Sequence, residues 1–169
     1  MRTPAIKALV TMALGLTAVA ASAATTTTTF SVSTTVNATC VINSASALTF
    51  AAFDPSQGAQ ASTSSISVNC TNTTPFNIGL NAGTGTGTGA TVASRVMTSG
   101  ANTLTYSLYQ DSGHASVWGN TVGTNTVAGT GAGMAAGNAI TKTVYGLIPS
   151  QPNTVPGNYA DTVTVTVTY

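Results

Sequence analysis

Charge is what this sequence has least of. Its 169 residues include four basic and three acidic side chains and one histidine, for a net charge of +1. Arg2 and Lys7 stand at the very start; after them only Asp54, Arg95, Asp111, Lys142 and Asp161 are charged, and His114 is the single imidazole. So weak a field excludes electrostatic attraction to nucleic acid or to an anionic membrane surface. It also offers little resistance to self-association. Acid–base catalysis has almost nothing to work with. A triad drawn from His114, Asp111 and a serine would sit on the turn Asp111-Ser112-Gly113-His114, and no Gly-x-Ser-x-Gly elbow precedes a helical pattern. No pair of carboxylates is spaced for sugar hydrolysis. No enzyme activity and no cofactor are therefore expected.

Other absences narrow the class further. Glu, Lys and Leu, the strong helix formers, are scarce, while Thr, Ser, Asn, Gly and Ala dominate, which suits strands and loops. After the first twenty residues no apolar stretch is long enough to cross a bilayer, so no membrane insertion is expected. Cysteine is limited to Cys40 and Cys70. With one histidine they are too few for a zinc centre.

What is present begins with an export signal. Arg2 and Lys7 give a positive start, Ala8 to Ala20 is a short apolar run, and Ala21-Ser22-Ala23 is a small-x-small cleavage site. Residues 1–23 are read as a signal peptide, residues 24–37 as an N-terminal arm and residues 38–169 as the folded domain. Export implies an oxidising compartment, so a Cys40–Cys70 disulfide is expected.

The mature sequence alternates repeatedly with the two-residue period of half-buried strands. In the last stretch Val163, Val165, Val167 and Tyr169 take one side, and Thr162, Thr164, Thr166 and Thr168 the other. Near the start Phe30, Val32, Thr34, Val36 and Ala38 share one parity, continuing into Cys40 and Ile42. Between them the pattern predicts strands over Ala47–Phe53, Ser62–Cys70, Phe76–Leu80, Val96-Met97, Leu104–Tyr109 and Ala139–Ile148, and a loop or weak hairpin over Gly123–Asn138. Gly83, Gly85, Gly87 and Gly89 alternate mainly with threonines but lack the following Lys and helix of a phosphate cradle, so they read as a surface loop. Tyr159 is a candidate packing corner. Seven or so short strands separated by turns predict a β-sandwich, with a closed barrel as the alternative. A strand as well formed as Asp161–Tyr169 needs a neighbour on each side or a managed edge.

Several segments, in order, are similar to the spore coat protein U domain family, which includes the subunits of archaic chaperone–usher pili. They are Ala38-Thr39-Cys40-Val41-Ile42, Leu48-Thr49-Phe50 with Phe53-Asp54-Pro55, Val68-Asn69-Cys70, and Leu80-Asn81-Ala82-Gly83. They continue through Leu104-Thr105-Tyr106-Ser107-Leu108-Tyr109-Gln110-Asp111, Val117-Trp118-Gly119 and Val144-Tyr145-Gly146-Leu147-Ile148-Pro149 to Gly157-Asn158-Tyr159-Ala160-Asp161-Thr162-Val163-Thr164-Val165. Ala51-Ala52 departs from the family's usual glycine, and Leu147 from a common basic residue.

The resemblance implies an all-β fold, an incomplete immunoglobulin-like β-sandwich completed by donor-strand exchange. Phe30, Val32, Thr34 and Val36 would be the donor strand, and Val163, Val165, Val167 and Tyr169 the edge strand of the acceptor groove. The implied partners are other copies of this chain or sister pilus subunits, with a periplasmic chaperone and an outer-membrane usher during assembly. The implied destination is the periplasm and then the cell surface, as a structural pilus subunit supporting adhesion and biofilm formation. Two other readings stand beside it: a spore or cell coat protein outside any pilus, and a sugar-binding module presenting Tyr106, Tyr109, Trp118 and Tyr145.

Overall fold

The computed structural model describes residues 22–85 and 89–169; the signal-peptide reading of residues 1–21 lies outside them. The chain divides into two units, residues 1–35 and residues 36–169. In the first, residues 22–35 carry neither helix nor strand, although Phe30 to Val36 alternates as a strand would. Alternation alone does not make a strand, because the backbone must also find a partner edge. Phe30 and Val32 are 86% and 83% exposed.

The second unit is all-β, with a short 3-10 turn at Ala136–Asn138. Its strands are β1 (Cys40–Ala45), β2 (Gln60–Cys70), β3 (Pro75–Leu80), β4 (Arg95–Ser99), β5 (Asn102–Tyr109), β6 (Val127–Thr130), β7 (Ile140–Ile148) and β8 (Val165–Thr168). Two antiparallel sheets form, one in the order β1-β2-β7-β5-β4 and the other in the order β6-β3-β8. Their inner faces meet as an immunoglobulin-like sandwich. The alternation of β5 becomes the core directly: Leu104, Tyr106 and Leu108 are buried, and the residues between them are half-buried. Ile66 and Val68 of β2, Val144 and Ile148 of β7, and Phe76, Ile78 and Leu80 of β3 complete it.

Trp118, fully buried, packs between the sheets and donates its indole N–H to the Ile78 carbonyl at 2.8 Å. Cys40 and Cys70, opposite one another in the β1–β2 ladder, are joined as a disulfide. Tyr159 makes the expected corner, its hydroxyl donating to the Val155 carbonyl at 2.6 Å.

Several expectations are corrected. Ala47–Phe53 is not a strand; its contacts to β2 run through side chains, Ser62 Oγ to the Thr49 carbonyl at 2.7 Å and Gln60 Nε2 to the Ala52 carbonyl at 3.4 Å. Gly123–Asn138 is not a self-contained hairpin, because β6 within it pairs with β3. The final strand is shorter than its alternation: only Val165–Thr168 forms a ladder with β3. Tyr169, expected on the buried face, lies beyond the last ladder pair, Asn77 with Thr168, and is 59% exposed.

Candidate functional site: an apolar cleft along the sandwich edge

The sandwich does not close along one side. β1 is the outer strand of the five-stranded sheet, β8 is the outer strand of the three-stranded sheet, and the two approach each other. Between the chain after β1 and the chain before β8 runs a cleft of about 670 Å³. Its floor is core: Ile66, Val144 and Ile148 from the β2–β7 pair, and Leu104, Tyr106 and Leu108 from β5. Leu48, Phe50 and Phe53 form one wall. Leu48 and Phe50 reach the β7 backbone at Gly146, where an added Cβ would stand 2.8 Å from Leu48 and 3.0 Å from Phe50. The other wall is residues 157–165, with Val163 and Val165 facing inward. Large apolar side chains line this open cleft, and an exposed apolar surface of that kind is characteristic of interaction sites and binding grooves.

The sequence-derived site residues fall into three groups. Val163 and Val165 line the cleft, while Val167 packs half-buried against the core and Tyr169 lies outside the lining. Phe30, Val32, Thr34 and Val36 are exposed and outside any strand. Cys40 and Cys70 tie β1 to β2 and so anchor the strand from which the first wall departs. The aromatics considered for sugar stacking separate: Trp118 and Tyr106 are buried, whereas Tyr109 and Tyr145 oppose one another half-buried on neighbouring strands. Asp111 spends its carboxylate on the turn, accepting from the Ala115 and Ser116 amides, and is not arranged with His114 as an acid–base pair.

A polar cluster at the cleft escaped the sequence reading. Arg95, the first residue of β4, is fully buried. Its guanidinium donates to the carbonyls of Asn81 (2.8 Å), Val92 (2.7 Å), Leu80 (3.0 Å) and Trp118 (2.7 Å). Burial lowers its pKa to about 10, which leaves it charged at neutral pH. Asp161 on the second wall accepts from the Tyr106 hydroxyl at 2.7 Å, and from the Thr84 amide and hydroxyl at 2.8 and 2.9 Å. Burial works against its charge, but these hydrogen bonds, with one from the Thr162 amide, outweigh it and hold the carboxyl below its ordinary range. Burial and the neighbouring carboxylate push the Tyr106 phenol far up, so it remains a donor. Nothing in the sequence around Arg95 marks it, since a lone arginine between loop and strand reads as a solvated surface charge. Among the described residues no group of three or more His, Cys, Asp or Glu is placed to hold a metal. Nor is any helix among them long and apolar enough to cross a membrane.

Comparison with known proteins fits this geometry. The family model described as Spore Coat Protein U domain matches residues 26–166. Protein U of Myxococcus xanthus is 34% identical over 111 residues, covering 63% of this chain and 59% of that protein. Among solved structures, a chain of the CsuC–CsuE chaperone–tip adhesion subunit pre-assembly complex, from the archaic chaperone-usher Csu pili of Acinetobacter baumannii, superposes with a TM-score of 0.55 at 25% identity. That match covers 80% of this chain but 41% of the solved one, so this chain spans less than two thirds of either relative.

Proposed function

This chain belongs to the Spore Coat Protein U domain family, and from that premise we infer that it is a structural subunit that polymerises head-to-tail by strand donation. The observation that carries this reading is the cleft: a core-lined groove flanked by the chain edges on either side of it, Ala47–Phe53 and Asp161–Val165. A strand entering it would bond to those edges and cover the apolar floor, as in other cases of β-strand addition. Residues 24–37 of another copy are the natural occupant, since their alternating Phe30, Val32, Thr34 and Val36 present one apolar face. Burying Phe30, Val32 and Val36 would contribute about 1.5–3 kcal/mol each, and each backbone bond roughly 0.5–1.5 kcal/mol.

Donor and groove lie at different places on one chain, so the contact is head-to-tail and extends into a filament when the rotation between copies does not close a ring. Residues 1–23 serve as the signal peptide, residues 24–37 as the donor arm and residues 38–169 as the acceptor domain. A periplasmic chaperone fills the groove before assembly, an outer-membrane usher adds the subunit, and the product is a surface pilus that supports adhesion and biofilm formation. The family's description favours a second reading, a coat layer, in which the same joint builds a different final object.

The test is polymer formation by the mature chain with and without residues 24–37. Each form is co-expressed with its chaperone, released, and run on unheated and heated detergent gels. A heat-sensitive ladder from the full chain, absent from the truncation, is expected. Stable monomers from both would overturn strand donation.

A further inference from the structure

The second wall of the cleft is a segment in transit between sheets. Ala160 exchanges two backbone hydrogen bonds with Thr98 of β4, at 2.9 and 3.1 Å, and so belongs to the edge of the five-stranded sheet. From Val165 the same chain pairs with β3 of the other sheet. Asp161 stands where the crossing begins. It accepts from Tyr106, which rises from the floor on β5, and from Thr84, which belongs to the loop after β3. Three parts of the sandwich therefore meet on one carboxylate.

That meeting place is built in detail. Gly83 has φ +86°, and a Cβ there would come within 2.0 Å of the Asp161 carboxylate, so the loop fits around this group and admits no side chain. Asn81 Oδ1 accepts from the Gly83 and Thr164 amides, at 3.0 and 2.8 Å, and stitches the loop to the crossing segment a second time. Arg95 holds the base of the same loop through the Leu80 and Asn81 carbonyls. An apolar groove with movable walls would fold in on itself in water, because collapse buries the same floor that an incoming strand would bury. Here one wall is pinned by a charge-assisted network, and two of its members, Tyr106 and Asp161, themselves line the cleft.

We propose that the Tyr106–Asp161–Thr84 contact is a latch that holds the crossing segment at the spacing an incoming strand needs, making the groove preorganised before it is filled. The inference rests on the strand-donation reading and adds how the acceptor is kept receptive. Preorganisation raises affinity by removing the ordering cost from the binding step. Tyr106 and Asp161 are thus positioning residues for the joint.

The test measures how fast joints between mature full-length subunits come apart when excess peptide of residues 24–37 is added. Tyr106→Phe keeps the ring and removes only the donor; Thr84→Val removes the second hydroxyl. Gly131→Ala is the control. Its Cβ would crowd the Thr71 carbonyl at 2.2 Å, weakening the fold outside the cleft lining. A lost hydrogen bond to a charged group predicts release roughly tenfold or more faster for Tyr106→Phe, with a smaller rise for Thr84→Val. Gly131→Ala is expected to release at the wild-type rate. A Tyr106→Phe chain whose arm sits in a wild-type groove should also do so, because the latch belongs to the acceptor. Equal release from all three variants, or an unchanged Tyr106→Phe, would overturn the latch while leaving strand donation intact. A wild-type chain that forms no joint overturns both.

Discussion

Asp161 shows how much one side chain can hold when charge is scarce. It is one of three carboxylates in the chain, and unlike Asp54 and Asp111, which serve their own turns, it joins distant segments. Its folded pKa lies below the ordinary value, so between the two values the unfolded chain binds more protons than the folded one. Stability from this group is therefore fully present above the ordinary carboxylate range, near pH 4, and is lost as pH falls through the depressed folded value. Arg95 is the cation whose field reaches it, and Tyr106 stays protonated throughout. Thermal midpoints measured from pH 7 down to pH 3 should fall for the wild type and fall less for Asp161→Asn. Parallel profiles would show that the carboxylate contributes nothing through its charge. Asp54 and Asp111 also have lowered pKa values, so the comparison between the two proteins, not the wild-type slope alone, isolates Asp161.

Among the elements, strand identity was legible wherever one face is buried and the ladder is complete. β2, β5 and β7 form where the pattern predicts strands because each is flanked on both sides within the five-stranded sheet, although the pattern of β7 is imperfect, with Leu147 off the buried face of Val144 and Ile148. Ala47–Phe53, in which Leu48 and Phe50 alternate, and residues 161–164 are not strands, because each borders the cleft and lacks a complete ladder. β1 is the weakest link between these cases. It is an edge strand, exposed along most of its length, with a register shift between Ile42 and Ser44. The disulfide compensates by closing a loop with a sequence separation of 30. Replacing both cysteines with serine should lower stability by about 3–4 kcal/mol in the chain-entropy model. Denaturant unfolding of the double variant would read this as a lower midpoint; an unchanged midpoint would mean that β1 is held by the ladder alone.

At the scale of the whole molecule, the missing side of the sandwich is the feature with consequences. Val163 lines the cleft and Tyr169 does not. In the proposed joint, Val163→Asp would place an unpaired carboxylate where the donated strand excludes water, a cost of several kcal/mol. Tyr169→Ser changes only an exposed ring. The first variant should lose the heat-sensitive ladder on unheated detergent gels, and the second should keep it. Loss of the ladder in both, or in neither, would move the acceptor edge away from Val163.

Composition and period by themselves determined the class of this protein. A chain so poor in charge and in helix formers, alternating in short runs between turns, has only sheets with which to bury its apolar residues. Its two cysteines, on strand patterns that can lie side by side, had one partner each. Tertiary structure alone decided where the alternation fails to become ladder, that Arg95 is interior, and that Asp161 joins three segments. These facts depend on which segments meet in space, 55 residues apart for Tyr106 and Asp161 and 23 apart for Arg95 and the Trp118 carbonyl, and local pattern carries no information about that meeting. Alternation records which face of a segment is apolar; only the assembled sheets determine whether a neighbour is there to receive it.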